Sequence, residues 1–302
     1  MTQAEQMALA ILQDSPDFRV LHRMVPTSLD VADVPDDTPR ERVVLLDTET
    51  TGKDYRTDKI IELGMVKFDV HPITKEFLGV VGQFNGLEDP GFPIPAEASK
   101  VNGILDEDVR GRRFDDQAID AFVQDSTLVV AHNAEFDRKL CERRFPAVFT
   151  NMRWGCSQHQ VDWAAQGIES AKLAFIAYRL SFFYDAHRAV NDCLATLYAL
   201  TRVRTDGANG LQELLGRAPL ENRHIWALSA PYEAKDLLKK RGYRWSDGSD
   251  PASPKAWHVE IPASQEKAEI DWLAESVYDR PASTLTLKIT VVDAYSRFSG
   301  RA

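Results

Sequence analysis

A near-continuous run of apolar residues, VVLLDTET at 43–50, is the clearest hydrophobic pattern in the chain. Such a run is typical of a strand that is buried on both faces at the centre of a sheet. The elements predicted after it are strands at 59–70, 76–85 and 127–133, and helices at 115–123, at 134–145 and within 187–203. This succession of strands and helices predicts an α/β fold built around 43–50.

A second, shorter pattern occupies the C-terminal part of the chain. Strands are predicted at 224–229, 243–247, 256–261 and 284–294, and helices at 231–242 and 264–278. These elements predict a small α+β module. The expected parts of the chain are an N-terminal helical extension and connector at 1–40, a main domain at 41–203, a Gly-rich linker at 204–221 and the accessory module at 222–302.

The composition is that of an ordinary globular protein, with 44% hydrophobic and 27% charged residues. The net charge of -10 argues against a protein that coats nucleic acid through bulk electrostatics. It is compatible with an enzyme that holds nucleic acid through metal ions and a few basic side chains. No apolar run approaches the roughly 20 residues that cross a bilayer, and the N-terminus lacks the basic segment of a signal peptide. We therefore expect a cytoplasmic protein with no membrane partner.

Two acids stand at the end of the predicted central strand. Asp47 and Glu49 are two residues apart, so on a strand their side chains project from the same face. Neighbouring carboxylates at the end of a buried strand repel each other unless a cation joins them. The pair therefore indicates a divalent metal site, and a strand end with solvated acids is the alternative.

Two further acids follow at a distance along the chain. Asp137 falls in the first turn of a predicted helix, where the helix dipole favours an acid in any protein. Asp192 lies on a predicted helix and points away from its apolar stripe, which contains Val190 and Leu194. On a continuous helix His187 would lie about 140° around the axis from Asp192. His187 must therefore precede that helix, on a loop, if the two side chains meet.

The ordered motifs DTET at 47–50, AHNAEFD at 131–137 and HRAVND at 187–192 resemble the three motifs of the DEDDh exonucleases. That family includes the proofreading epsilon subunit of bacterial DNA polymerase, ribonuclease T and oligoribonuclease. The resemblance covers roughly 41–203. It implies a ribonuclease H-like domain, with a mixed five-stranded sheet flanked by helices.

The resemblance also implies roles for individual residues. Asp47, Glu49, Asp137 and Asp192 would hold two ions of Mg²⁺ or Mn²⁺, which prefer oxygen ligands. His187 would accept the proton of the attacking water. The residues implied as substrate contacts are Thr50, Thr51, Asn102, Ile104, His132 and Asn133. Ordinary turn chemistry is the alternative for these contacts.

The chain departs from its relatives after the fifth predicted strand. Many members of the family have an Asp-Thr pair there, whereas this chain has Cys156 and Ser157. The departure leaves the acidic residues unchanged and affects the substrate-side wall of the cleft.

The reaction implied by these residues is removal of nucleotides from 3′ ends of single-stranded or frayed DNA, in repair or proofreading. Nucleic acid 3′ ends and replication or repair proteins are the expected partners. An exoribonuclease that trims RNA is one alternative. A non-catalytic nucleic-acid-binding scaffold on a nuclease fold is another, and the presence of all five expected catalytic groups speaks against it.

Basic residues occur in three runs, at 110–113, 138–144 and 239–244. The first two flank the predicted cleft, where they would contact phosphates without reading sequence. The third lies in the accessory module together with Trp226, Trp245 and Trp257. Basic groups next to aromatic rings can stack unpaired bases, and core packing is the alternative for these tryptophans.

Overall fold

The computed structural model describes residues 2–29, 34–202, 207, 209–249 and 253–300. They fall into two units, Met1–Ala218 and Pro219–Ala302. The strands of the first unit are β1 (His22–Arg23), β2 (Glu41–Thr50), β3 (Ile60–Val70), β4 (Phe77–Leu87), β5 (Leu128–Ala131), β6 (Trp154–Cys156) and β7 (Phe182–Phe183). Its helices are α1 (Gln3–Asp14), α2 (Ala96–Asn102), α3 (Asp106–Val109), α4 (Asp116–Val123), α5 (Ala134–Arg144), α6 (Pro146–Phe149), α7 (Leu173–Arg179), α8 (Ala189–Thr201) and α9 (Gly210–Arg217).

The main sheet of the first unit has the strand order β4-β3-β2-β5-β6. Strands β2, β3 and β4 are antiparallel neighbours, whereas β5 and β6 run parallel to β2. Strand β2 is therefore central, as its apolar run predicts. The predicted mixed sheet of five strands flanked by helices is confirmed.

Strand β2 supplies side chains to the cores on both faces of the sheet. Val43 and Leu45 pack in one buried cluster with Cys193, Leu194 and Leu197 of α8. Helix α5 contacts β2, β5 and β6. Because successive side chains of a strand alternate between faces, residues 44, 46 and 48 of β2 point away from α8.

A glycine in β3 allows α8 to approach the sheet closely. Gly64 pairs in register with Asp47. A Cβ atom added at Gly64 would lie 2.4 Å from the backbone nitrogen of Val190 and 2.5 Å from the carbonyl carbon of Ala189, both in the first turn of α8. The absence of a side chain at this position therefore brings the start of α8 against the end of β2.

The predicted linker at 204–221 is wrong where the structure describes it. Helix α9 lies within this segment, and Leu211, Leu214 and Leu215 are buried in the core of the first unit. These leucines have the i, i+3, i+4 spacing of an amphipathic helix, which the flanking glycines and polar residues obscure in the sequence. Residues 204–206 and 208 of the predicted linker, residue 203 of the predicted main domain, and 30–33 of the predicted N-terminal connector lie outside the described residues.

The second unit is the small α+β module that the sequence predicts. Its elements are β8 (Asn222–Ala227), α10 (Lys235–Lys240), β9 (Arg244–Ser246), β10 (Ala256–Pro262), α11 (Glu266–Leu273) and β11 (Lys288–Val292). The four strands form an antiparallel sheet in the order β11-β8-β10-β9. In the part of the chain that the structure describes, no helix is long and apolar enough to span a membrane.

The close contact at Gly64 predicts a specific loss of stability. We expect Gly64→Ala to lower the free energy of unfolding by about 1–3 kcal/mol, because the new methyl group collides with backbone atoms of α8. Urea denaturation measures this change. Gly82→Ala on β4 is the matched control, since its added Cβ would lie 3.4 Å from the Phe122 ring, an ordinary contact. Equal stability of the two variants would contradict the role given to Gly64.

Candidate active site

Three carboxylates meet where β2 ends against the first turn of α8. Asp47 and Glu49 lie on the face of β2 that α8 covers, because they continue the alternation of Val43 and Leu45. Asp192 comes from the first turn of α8. One oxygen atom of each of these three acids lies within 4.8 Å of the others. Among the described residues, this is the only group of three or more acid, histidine or cysteine side chains with such spacing.

Asp137 reaches the same end of β2 from α5. Its Oδ1 accepts a hydrogen bond of 2.8 Å from the Thr48 hydroxyl, and the side chain is 4% exposed. Thr48 points to the opposite face of the sheet from Asp47, which explains why Asp137 lies outside the group of three. Its negative charge nevertheless raises the pKa of Asp47. The four predicted acids are therefore neighbours, with Asp137 beside the other three.

The electrostatics of this group favour a cation. Burial and the charges of Asp137 and Asp192 raise the pKa of Asp47 well above its usual range. Burial and the charges of Asp192 and Glu62 raise the pKa of Glu49 to about 8. Burial raises the pKa of Asp137 to about 7, although the hydrogen bond from Thr48 opposes this rise.

The donor set fits a divalent metal. It consists of carboxylate oxygens, the ligands that hard cations such as Mg²⁺ prefer. A cation among these acids would remove the repulsion that raises their pKa values. Asp47, Glu49 and Asp192 are placed to bind this cation jointly, and Asp137 is adjacent.

Asp192 is oriented by two hydrogen bonds. Its Oδ1 accepts a bond of 2.9 Å from the Tyr184 hydroxyl, and its Oδ2 accepts one of 3.0 Å from the backbone N–H of Arg188. These bonds oppose the rise in the pKa of Asp192 that burial causes. Sequence analysis missed Tyr184, since nothing in the local pattern distinguishes this aromatic residue from a core residue.

His187 lies on the loop before α8, as its spacing from Asp192 predicts. The residue is exposed and adopts a left-handed backbone conformation with φ of 63°. The charge of His187 favours the ionised form of Asp192, so the imidazole lies within electrostatic reach of that carboxylate. The position on the loop is confirmed, and the role of His187 as a base stays a prediction.

The loop that carries His187 is anchored to the sheet by Glu62 on β3. Glu62 is 1% exposed and pairs in register with Glu49. Its carboxylate accepts a bond of 2.8 Å from Nη2 of Arg188 and one of 3.2 Å from the backbone N–H of Ala189. Sequence analysis missed this acid. Its isolated position in the apolar run IIELGMV was the available signal, because a buried charge requires a partner.

Asn102 and Ile104, both predicted substrate contacts, face the protein interior. An interaction with the Asn102 side chain opposes the rise in the pKa of Glu49, and Oδ1 of Asn102 accepts a hydrogen bond of 3.0 Å from the backbone N–H of Ile104. Ile104 is 2% exposed and packs with Ile61 and Val109. Contact of these residues with a base stays a prediction, and the burial of Ile104 counts against it.

Thr50 and Thr51 hold the turn after β2. Thr51 is 2% exposed, and its hydroxyl donates to Oδ1 of Asp58 at 2.8 Å and accepts from the backbone N–H of Lys59 at 3.0 Å. The Thr50 hydroxyl donates to the carbonyl oxygen of Gly52 at 2.5 Å. Both hydroxyls therefore have a structural use, and their contact with a nucleotide stays a prediction.

His132 has both ring nitrogens engaged by the protein. Nε2 lies 2.8 Å from the carbonyl oxygen of Ala171, to which it must donate, and Nδ1 lies 2.8 Å from the Ser157 hydroxyl. Burial lowers the pKa of His132 to about 4, which keeps the ring neutral. His132 thus contacts Ser157, the residue that replaces the expected threonine. Neither ring nitrogen is free for the predicted substrate contact. Asn133 is exposed, and its side chain makes no cap bond to α5.

A basic cavity of about 730 Å³ lies in the same unit. Its cationic lining residues are Arg56, Lys59, Arg112, Arg113, Arg143 and Arg144, and they include parts of two of the predicted basic runs. Arg144 and Asp137 share α5 and are seven residues apart, which corresponds to about 10 Å along the helix axis. One lining residue of the cavity therefore lies about 10 Å along α5 from Asp137.

The chain is similar to parts of bacterial DNA polymerase III proteins. It is 29% identical over 214 residues to a DNA polymerase III PolC-type of Thermotoga maritima, an alignment of 66% of this chain and 14% of that protein. It is 39% identical over 94 residues to DNA polymerase III subunit epsilon of Treponema pallidum, which covers 30% of this chain and 40% of the relative. The chain thus spans less than half the length of these relatives.

A solved structure with a similar chain trace is the zinc-ion-bound form of the E. coli ExoI–ssDNA complex. The two chains are 14% identical, with a TM-score of 0.48, and the comparison covers 76% of this chain and 66% of that one.

A family model described as "Exonuclease" matches residues 44–200, just over half of the chain. This range contains all the acids of the site and His187. The chain belongs to this exonuclease family.

Proposed function

We propose that the chain is a metal-dependent 3′-5′ exonuclease that removes nucleotides from single-stranded or frayed DNA ends. The observation that carries the proposal is the meeting of Asp47, Glu49 and Asp192, whose oxygen atoms lie within 4.8 Å of one another. Asp137 beside them and His187 on the adjacent loop complete the set. We propose two ions of Mg²⁺ or Mn²⁺ as the cofactors, since all the donors are carboxylates.

Bound divalent ions would neutralise charge on the scissile phosphate and make water more acidic. The chain's own residues hold and orient the reacting groups. Thr48 and Tyr184 each fix one carboxylate through a hydrogen bond, to Asp137 and Asp192 respectively. An imidazole exchanges protons near neutral pH, so His187 is suited to accept the proton of the attacking water.

DNA is the proposed substrate because the relatives are named as DNA polymerase III proteins. Arg56, Arg112 and Arg113 line the basic cavity, and the described residues form no ion pair with their side chains. These arginines are suited to contact phosphates upstream of the cleaved bond without reading sequence. The proposed pathway is repair or proofreading, in which replication or repair proteins would be the partners.

The metal assignment predicts two effects of Asp47→Asn. Nucleotide release from labelled 3′ ends should fall below detection, because the metal site loses a charged ligand. A Mg²⁺ concentration of about 100 times the dissociation constant should stabilise the wild type by about 2.7 kcal/mol, and most of this gain should be lost in the variant. Without metal, the variant should be more stable than the wild type by on the order of 1 kcal/mol, since one repelling charge is gone.

Thermal melting with and without Mg²⁺, and release assays on single-stranded DNA, duplex DNA and RNA, measure these effects. Asp120→Asn, at an exposed position of α4, is the matched control and should behave as the wild type. If the wild type cleaves RNA in preference to DNA, the exoribonuclease alternative replaces the proposal of a DNA exonuclease. Absence of release by the wild type itself would favour a non-catalytic scaffold.

The role of His187 predicts a loss of rate without a loss of metal. We expect His187→Asn to lower kcat by about 10²–10⁴-fold, the usual contribution of a general base. Asparagine is chosen because it tolerates the left-handed conformation of this residue. The stabilisation by Mg²⁺ should be unchanged, since His187 is not a proposed ligand.

His71→Asn, in the turn between β3 and β4, controls for removal of a histidine far from the acids. Unchanged kcat in His187→Asn would eliminate this residue as the base. A parallel loss of Mg²⁺ stabilisation would instead indicate that the substitution disturbs Asp192.

A further inference from the structure

The sheet of the second unit has one face covered by helices. Ile225 of β8 and Trp257 of β10 belong to the buried cluster that also contains Leu238 of α10 and Leu273 of α11. The two central strands of this sheet are β8 and β10. Since side chains alternate along a strand, the residues between the buried ones point to the other face.

An aromatic stack lies on that other face, at its centre. Trp226 of β8 pairs in register with His258 of β10. The Trp226 ring stacks on His224 with a centroid distance of 4.6 Å and on His258 with one of 4.5 Å. Nε2 of His224 lies 2.9 Å from Nδ1 of His258, so one imidazole donates to the other. The indole is 5% exposed, whereas both imidazoles are only partly buried.

Cations flank this stack on the two outer strands. Arg244 of β9 pairs in register with His258, and Lys288 of β11 pairs with Trp226, its Nζ lying 5.9 Å from the indole centroid. Both side chains belong to exposed residues, and within the described ranges neither forms an ion pair. Glu260, an acid on the same face, is held by Asn222 and by Arg297. The face is therefore locally cationic in a chain with a net charge of -10.

We propose that this face of the second unit binds single-stranded DNA, with unpaired bases stacking on the two imidazoles and with Arg244 and Lys288 contacting the phosphates. Aromatic rings on the central strands of a four-stranded sheet stack bases in a common class of nucleic-acid-binding modules. Cationic side chains beside such rings follow the backbone. The proposal goes beyond the proposed exonuclease activity, because no residue of this face takes part in hydrolysis.

The chemistry of the histidines supports stacking. Burial, followed by the neighbouring charge of the other histidine, lowers the pKa of His258, and burial lowers the pKa of His224. Neutral imidazoles share a hydrogen bond without repelling each other. They also present planar rings to a base, and every base has a π-face, so this mode of binding is tolerant of sequence.

Fluorescence anisotropy of the full chain with a labelled thymidine 20-mer tests the proposal. The measurement is made in EDTA, so that the DNA is not hydrolysed and no metal ion holds it at the proposed active site. We expect the double variant Arg244→Glu/Lys288→Glu to bind about tenfold more weakly or worse. The slope of log affinity against log salt should fall by about 1.4, the contribution of two phosphate contacts on a single strand.

The matched control is Lys239→Glu/Lys240→Glu, which makes the same charge change at exposed positions of α10, on the helix-covered side. This control should bind within about twofold of the wild type, since its lysines do not belong to the proposed face. Unchanged binding by the Arg244→Glu/Lys288→Glu variant, or an equal loss in the control, would overturn the proposal.

His258→Ala tests the stacking separately. We expect it to weaken binding of the thymidine 20-mer by about fivefold or more, the loss of one stacked base. A duplex of the same length should bind more weakly than the single strand. Equal binding of single strand and duplex, or full affinity of His258→Ala in a chain that melts like the wild type, would exclude stacking. Stronger binding of a uridine 20-mer would overturn the assignment to DNA.

Discussion

Repulsion among four neighbouring carboxylates is the constraint on which the first unit depends. Without a cation, the charges of Asp137 and Asp192 act on Asp47 and raise its pKa. Packing must therefore hold the acids together against their own repulsion. Two buried contacts do so, one between β3 and α8 at Gly64, which pairs with Asp47, and one between β2 and α5 at Thr48.

Neutral donors, rather than cations, orient the acids of this group. Thr48 donates to Asp137, and Tyr184 donates to Asp192. A cationic side chain in the same place would compete with a metal ion for the oxygens. Arg188 is next to His187 in the chain, and its guanidinium is paired with Glu62 instead. The Glu62–Arg188 pair thus anchors the loop, and it directs the guanidinium to Glu62, which is not a proposed metal ligand.

The sequence was sufficient for the features that depend on spacing and alternation. The central strand, the shared face of Asp47 and Glu49 and the loop position of His187 all follow from the periods of strand and helix. The features that depend on distant partners were not predictable in this way. Glu62 meets Arg188 across 126 positions of the chain, and His132 meets Ala171 across 39.

The error at α9 has a related cause. Its three leucines are visible in the sequence, but the buried surface that they join is formed by α8 and the main sheet. A short amphipathic segment between glycines is judged helical only when the surface that receives it is known. The substrate contacts could not be predicted from the sequence for a different reason. A polar side chain such as that of Thr51 or His132 can stabilise a turn or bind a ligand equally well.

Three consecutive residues of β2 serve helices on opposite sides of the sheet. Asp47 and Glu49 face α8, whereas Thr48 binds the acid that α5 supplies. A shift of the strand by one residue would exchange these faces and disconnect both helices at once. An insertion or deletion in β2, between its buried part and the bulge at Glu49–Thr50, is therefore incompatible with an intact site. Insertions in loops elsewhere in the unit do not shift this strand.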